Sequence, residues 1–433
     1  MYDVAVVKYK RPYESLAKAV DIVGGLGDIS TSSKVVIKPN IGVWFEGVDF
    51  PKYGVLTTAR MIEDTVILLK EHGVGDIAIV EGVTEAEKDS VSLLGLAAER
   101  MGLNILSDRY GVRVVDVHKG GFTKVDVGGV FLSVNNDILE ADYVINLPVL
   151  KTHAVTKVSL GIKNLKGVLN MASRKKCHSA DRIFDLDYHI SRLPEIIKPY
   201  LTIIDGIYTL ERGAYPSGEA YRSDIIIASK DLVSADVIGA KILGIAPHTV
   251  PHIAYVVSNN KYSYDMIDIN VRSDFDFGKS LKPHHWEIDL ASYLEQFGIG
   301  SIDFPLPDNT ACTYCAYFIE LVLYGLVLAK LQGESLDHIE ILTGKIMEPS
   351  GLREQTLLVG QCQVRKNGGS PLLKHGIEIR GCPPSKKGLM EAFRKLGFQV
   401  SGSLLEWRKA IMDFHFSRYI GRPEFDDSFY RIH

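Results

Sequence analysis

Cysteine is scarce: the chain of 433 residues has five. So few thiols in so large a chain do not suggest a disulfide framework, and they are expected to be free, catalytic or metal-bound in a reducing compartment. The N-terminal "MYDVAVVKYKRPY" lacks a long apolar core ending in a small-residue cleavage site, so a signal peptide is not expected and the compartment reads as cytoplasmic. An excess of one charge is missing as well. A net charge of −4 with 24% charged residues offers no basic face for nucleic acid or an anionic bilayer. The most apolar run, "AYFIELVLYGLVLA", is short for a membrane span and carries Glu320, so a buried helix is expected there. Walker A, G-x-S-x-G and H-E-x-x-H sequences are absent. The glycines of "VGGLGD" follow a helical stretch and precede a strand, which is not the order of a dinucleotide fingerprint.

What is present is alternation of strand-like and helix-like segments. The length exceeds what one hydrophobic core usually serves, so two domains are expected. Through residues 1–260, "VVIKP", "DIAIVEG", "VRVVDV", "DYVINLP", "LTIIDGI" and "SDIIIAS" are β-branched runs separated by helical periodicity such as "TARMIEDTVILLKEHG". This pattern predicts an α/β domain with a mainly parallel sheet. A Gly-Gly turn in "FTKVDVGGVFLSV" predicts a hairpin insert. Residues 261–310 read as a connecting segment, and 311–433 as a smaller α/β unit that holds four of the cysteines.

In that unit Cys312 and Cys315 form a C-x2-C pair at a predicted helix N-terminus, while Cys362 and Cys382 each end a predicted strand. Strand carboxyl ends share one rim of a parallel sheet, so the four thiols can converge. Four thiolates suit tetrahedral zinc and a 4Fe–4S cluster equally by geometry. The last two cysteines do not form a second local pair, which favours the cluster and leaves zinc as the alternative. Cys177, in "SRKKCHSA", reads as a free thiol in a basic polar loop.

The first domain has its own polar concentration. Lys38 and Asn40 follow one strand; Lys151, Thr152, His153, Ser159, Lys163, Asn164 and Lys166 follow another; Asp205 is placed at the end of a third. Lysine, histidine, hydroxyl and amide groups on one rim suit a small anionic substrate, with His153 and Lys151 available for proton transfer. Taken singly, each has a plainer reading: Asn40 as a turn cap, Lys163 and Lys166 as a solvated helix face, His153 as a structural histidine.

"VVIKPN", "ADYVINLPVLKTH", "SLGIKNLKG", "IIDGI" and "SKDLVSADVIGAKILG" resemble the family called domain of unknown function 362, over about residues 30–260. That resemblance implies an iron–sulfur protein of unassigned activity. The ferredoxin-type cysteine run common in the family is absent, and "CTYC", "GQC" and "GCPPS" stand in its place. "GCPPS" itself resembles the cluster-ligand segment of nickel–iron hydrogenase small subunits, which implies that Pro383 and Pro384 fix the backbone and shield one side of a cluster. The order of strand-end motifs is also similar to the nickel-pincer lactate racemase family, with too little shared sequence to transfer a cofactor.

The expectation is therefore a cytoplasmic iron–sulfur oxidoreductase that acts on a small anionic substrate and exchanges electrons with a redox partner protein. A homo-oligomer is neither required nor forbidden. The competing readings are an electron-transfer or assembly module that docks through "EWRKAIMDFHFSRYIGRPEF", and a zinc-stapled hydrolase or ligase. Direct coupling predicts a short gap between the cysteines and the lysine-rich rim.

Overall fold

A computed structural model gives the fold and describes all residues except 1, 46, 48–50, 85–91, 214–215, 261–268, 281, 289–293, 296–297 and 301. The first unit is built on strands β1 (Tyr2–Lys8), β2 (Lys34–Pro39), β3 (Asp76–Glu81), β4 (Arg113–Asp116), β5 (Phe122–Asp126), β6 (Phe131–Asn135), β7 (Tyr143–Leu147), β8 (Val149–His153), β9 (Lys157–Val158), β10 (Leu201–Glu211), β11 (Glu219–Ser229) and β12 (Ile269–Ser273). Ten of them form one sheet in the order β12-β1-β11-β10-β7-β2-β3-β4, with β8 beside β10 and β9 beside β8. β4, β3, β2, β7 and β10 run parallel. β11 reverses between β10 and β1, and β12 lies parallel to β1. The sheet is thus mainly parallel. β5 and β6 form the separate hairpin, closed by Gly128 and Gly129 at positive φ.

Alternation along the buried strands supplies two cores, one per sheet face. Val35 and Ile37 join one, and Val36 joins the other; Ile79 and its neighbours Ala78 and Val80 divide in the same way. Strands buried on both faces read as continuous apolar runs, which is why β2, β3 and β7 are plain in the sequence.

The second unit has a parallel sheet of β13 (Ile339–Leu342), β14 (Gln355–Val359) and β15 (His375–Ile379). Against it packs the helix Thr313–Leu331, with Val322 and Leu326 fully buried in a third core. This helix is longer than its most apolar run. At 19 residues and mean hydropathy 1.6 it is long and apolar enough to cross a membrane by length and composition, and here it serves as a core helix. At Gly325 a Cβ would lie 2.4 Å from the Phe393 ring, so the missing side chain lets the aromatic ring approach the helix.

The units do not part cleanly at residue 311. The connecting segment pairs Asp303 with Glu340 of β13. From Met412 onward the chain returns to the first unit: Tyr419, Phe425, Tyr430 and Ile432 join one of its cores. Tyr53 meets the rings of Tyr419, Phe425 and Tyr430, and Gly54 N donates to the Tyr430 hydroxyl at 2.9 Å. Of the residues expected to form a docking face, Trp407, Tyr419 and Phe425 are therefore buried, while Phe414 and Ile420 stay exposed.

Candidate functional site

A cleft of about 890 Å³ lies where the carboxyl ends of the parallel strands face the second unit. Lys38, Asn40, Lys151, His153, Ser159, Lys163, Asn164 and Lys166 all line it. Its opposite wall includes Ala311, Thr313 and Ala316, which flank Cys312 and Cys315 at the start of the long helix.

The cleft floor is a closed hydrogen-bond network. Lys38 ends β2 opposite Asn146 of β7 and is fully buried. Its Nζ donates to Glu81 Oε2 at 2.9 Å and to the Pro39 carbonyl at 2.7 Å. Glu81, at the end of β3, also accepts from Ile41 N at 2.9 Å and Gly82 N at 2.7 Å. Asn164 donates to the Lys38 carbonyl at 3.1 Å and to Asn146 Oδ1 at 2.9 Å, and accepts from Asn40 at 3.0 Å. Lys151 Nζ donates to Asn40 Oδ1 at 2.9 Å and the Val55 carbonyl at 2.6 Å. A Cβ at Gly167 would fall 2.7 Å from Lys38 Nζ and 2.8 Å from Glu81 Oε1, so the "NLKG" glycine makes room for this ion pair.

Lys163 is different. Among the described residues its Nζ donates to Ser159 Oγ at 3.4 Å, which leaves further N–H donors for the cleft. Lys166 Nζ donates to His178 Nε2 at 2.7 Å, because His178 Nδ1–H is committed to the Asn309 carbonyl at 2.8 Å. Arg174 closes this end, bonded to the carbonyls of Gly82, Leu169 and Gly167.

Crowding of buried cations shows in their titration. Burial lowers Lys151 to about 7, with Glu81 opposing the shift. Burial, then the charges of Lys166 and Lys151, pushes Lys163 well below the ordinary lysine value. Burial and these lysines likewise keep His153 neutral. His153 Nδ1 accepts from Val155 N at 3.1 Å, so its proton sits on Nε2. The expected proton carrier of the pair is then Lys151, whose value lies near neutrality, and His153 is a hydrogen-bond donor.

Two expected site residues lie elsewhere. Thr152 is fully buried, bonded to the His285 carbonyl at 3.3 Å. Its neighbours Lys151 and His153 line the cleft because side chains alternate along β8. Asp205 is inside the eleven-residue β10 and not at its end. Its Oδ2 accepts from Thr58 N at 2.7 Å and Thr58 Oγ1 at 2.8 Å at the start of the helix Ala59–Glu71. Cys177 is a correction of another kind: it ends the helix Met171–Cys177, fully buried, and burial pushes its thiol up. Glu81, Arg174 and His178 were not singled out from the sequence; a carboxylate closing the apolar run "DIAIVE" was the available signal for Glu81.

The other four cysteines are free thiols that form a connected set. A hydrogen bond from Cys315 holds Cys312 below the ordinary thiol value, and the same bond raises Cys315. Burial raises Cys362, and the charges of Cys312 and Cys382 add to it while Lys345 opposes them. A Cβ at Gly360, just after β14, would lie 3.0 Å from Cys315 Sγ. Lys175 of the first unit reaches Cys382 Sγ at 3.8 Å, and Lys345 bonds the carbonyls of Lys175 and His178. Lys166 and Cys312 also shift one another, so the lysine end and the thiols are electrostatic neighbours, although Ala311 and Thr313 rather than Cys312 line the cleft. Among the described residues no three His, Cys, Asp or Glu side chains are gathered closely enough to hold a single metal ion.

The fold and cleft define an α/β protein whose site sits on the carboxyl rim of a parallel sheet, roofed by a cysteine-bearing unit. Residues 35–241 match the family described as Domain of unknown function (DUF362). The chain is similar to the thylakoid-associated protein sll1697 of Synechocystis sp., at 23% identity over 314 residues, which are 71% of this chain and 90% of that protein. Among solved structures it is similar to the lactate racemase apoprotein of Thermoanaerobacterium thermosaccharolyticum, at 11% identity and a TM-score of 0.36. That match covers 55% of this chain and 56% of the other.

Proposed function

We propose that the protein is an iron–sulfur oxidoreductase that binds an anionic substrate in the cleft beside a four-cysteine cluster site. The observation that carries this reading is the shared cleft: Lys163 and Lys166 face the wall that starts at Thr313, next to Cys312 and Cys315. The spacing of the cysteines, a C-x2-C pair with two isolated partners in place of a second local pair, favours a cluster over zinc. Cations near them, Lys166, Lys175 and Lys345, suit an anionic cofactor.

When bound, the cluster supplies single-electron transfer. The chain's residues do the rest. Lys163 binds the substrate anion with donors left over from Ser159, and Lys166 adds charge beside it. His153 Nε2–H orients an oxygen of the substrate. Lys151 Nζ takes or returns a proton near neutral pH. The long helix and the connecting segment keep water from the lysine end, which strengthens each charge interaction there. A redox partner protein exchanges the electrons. A cytoplasmic location is part of this proposal, and the thylakoid association in the name of the cyanobacterial relative does not favour it.

The docking-module reading has less support because Trp407, Tyr419 and Phe425 of its segment are spent on internal packing. Anaerobic purification with iron, sulfide and zinc analysis tests the proposal, with electron paramagnetic resonance before and after dithionite. About four irons and four sulfides per chain with a reducible signal are expected. One zinc without sulfide would overturn the redox reading and favour the zinc-stapled hydrolase or ligase.

A further inference from the structure

The lysine end occupies only part of the cleft. The long helix lines it at Thr313, Ala316, Tyr317, Ile319, Glu320 and Leu323. This spacing is one face of a helix, and ten residues from Thr313 to Leu323 span about 15 Å. Beyond Thr313 the stripe is mostly apolar. Trp286, Phe304 and Leu306 add apolar lining, alongside the polar Arg212, Ser217, Glu219, Glu287 and Arg418. Leu306 is 52% exposed. Glu320, the ionisable side chain on the helix stripe apart from Tyr317, is raised to about 7 by burial, with Arg408 and Ser217 opposing, so it presents a neutral carboxyl under mildly acidic conditions. A small anion would fill the lysine end and leave the apolar stretch wet.

We infer that the ligand is an elongated amphipathic anion. Its charged head lies at Lys163 beside the cysteine corner, and its apolar body runs along Ala316, Ile319 and Leu323 against Trp286 and Leu306. The inference rests on the anion-binding part of the proposed function and replaces "small" by a shape. The length of the stripe, about 15 Å, accommodates roughly a dozen methylenes. Apolar burial is the force along the body, and the spare ammonium donors of Lys163 fix the head.

Calorimetric titration of the full chain with acetate, butanoate, octanoate, dodecanoate and neutral dodecanol tests this. Binding at one site is expected, with affinity rising up to about fourfold per methylene and levelling near dodecanoate. Leu306→Asp, at a half-exposed position where folding is not at stake, should remove most of the gain with chain length and leave acetate binding unchanged. Lys163→Gln should weaken every carboxylate and leave dodecanol unchanged. Equal affinity for acetate and dodecanoate would overturn the inference and leave the anion reading standing. Dodecanoate binding that ignores Lys163→Gln, or that never saturates at one per chain, would overturn it as well. If no carboxylate binds, the inference falls together with the anion reading on which it rests.

Discussion

Lys38 is held by Glu81, Pro39 and Asn164; Cys312 is held chiefly by a neighbouring thiol. Lys38 lines the cleft and Cys312 stands between two of its lining residues, Ala311 and Thr313; their surroundings separate two kinds of buried polar group. The floor under Lys38 is complete as it stands: carboxylate, amides and ammonium satisfy one another, so its residues are framework for whatever binds above. The cysteine corner is incomplete, since free thiols with raised and lowered proton affinities face cations across a unit boundary. Buried groups already satisfied within the chain give little sign of a ligand, and groups left with spare donors or bare thiols are where one is expected.

The largest effect should come from the incomplete side. Cys312→Ser or Cys362→Ser should abolish bound iron and sulfide while far-ultraviolet circular dichroism stays unchanged. Full iron retention in both would remove the thiols from any cofactor site. Next in size is the floor. Glu81→Gln breaks a buried ion pair and leaves Lys38 unmatched, so unfolding free energy should drop by about 3–5 kcal/mol. Urea denaturation measures it, and a loss under about 1 kcal/mol would mean that the floor is not the framework described.

The same contrast explains what the sequence made legible. β2, β3 and β7 declare themselves because both faces are buried, and the lysine cluster of 151–166 declares itself by density. β8 and β9 were not recognised, because Lys151, Thr152 and His153 look like a loop when read as chemistry. Thr152 and Asp205 were placed in the site because residue type cannot show which face of a strand a side chain takes. The partners that satisfy Lys38 came from separate strands and turns, Glu81 from β3 and Asn164 from after β9, and no local pattern links them. Four thiols could be listed from sequence, but not their proximity to Lys166, which depends on how the second unit closes over the first.

Smaller effects concern the ligand end. Lys163→Gln should weaken anion affinity by about ten- to a hundredfold, the worth of one charge-assisted hydrogen bond. Thermal stability should be unchanged or slightly raised, because a buried amine with few partners is removed. Anion binding should also depend on pH in one direction. In the free protein Lys151 loses its proton as pH passes about 7, and a bound anion raises that value. Affinity is then flat below about pH 7 and falls above it, by at most about tenfold per pH unit, because binding takes up a proton. Titration in two buffers of different ionisation enthalpy detects that proton, and Lys151→Met should remove the Lys151 share of the uptake near pH 7.5, leaving that of Lys163 and Lys166, which burial also lowers.

The smallest effect on function should follow Asp205→Asn, and it is the control that keeps the comparison honest. Burial raises the Asp205 carboxyl, and the amide protons of Thr58 and Ile207 pull it back toward ionisation. The substitution keeps shape and one acceptor but weakens the grip on the helix that starts at Ala59. A stability loss of about 1–3 kcal/mol is expected, with anion affinity and iron content equal to those of the unaltered chain. If anion affinity fell as far as in Lys163→Gln, the interior of β10 would have to act on the cleft through Thr57, whose hydroxyl bonds both Asn40 N and the Leu147 carbonyl. The floor would then be a responsive part of the site, and the line drawn between satisfied framework and ligand-seeking groups would have to move.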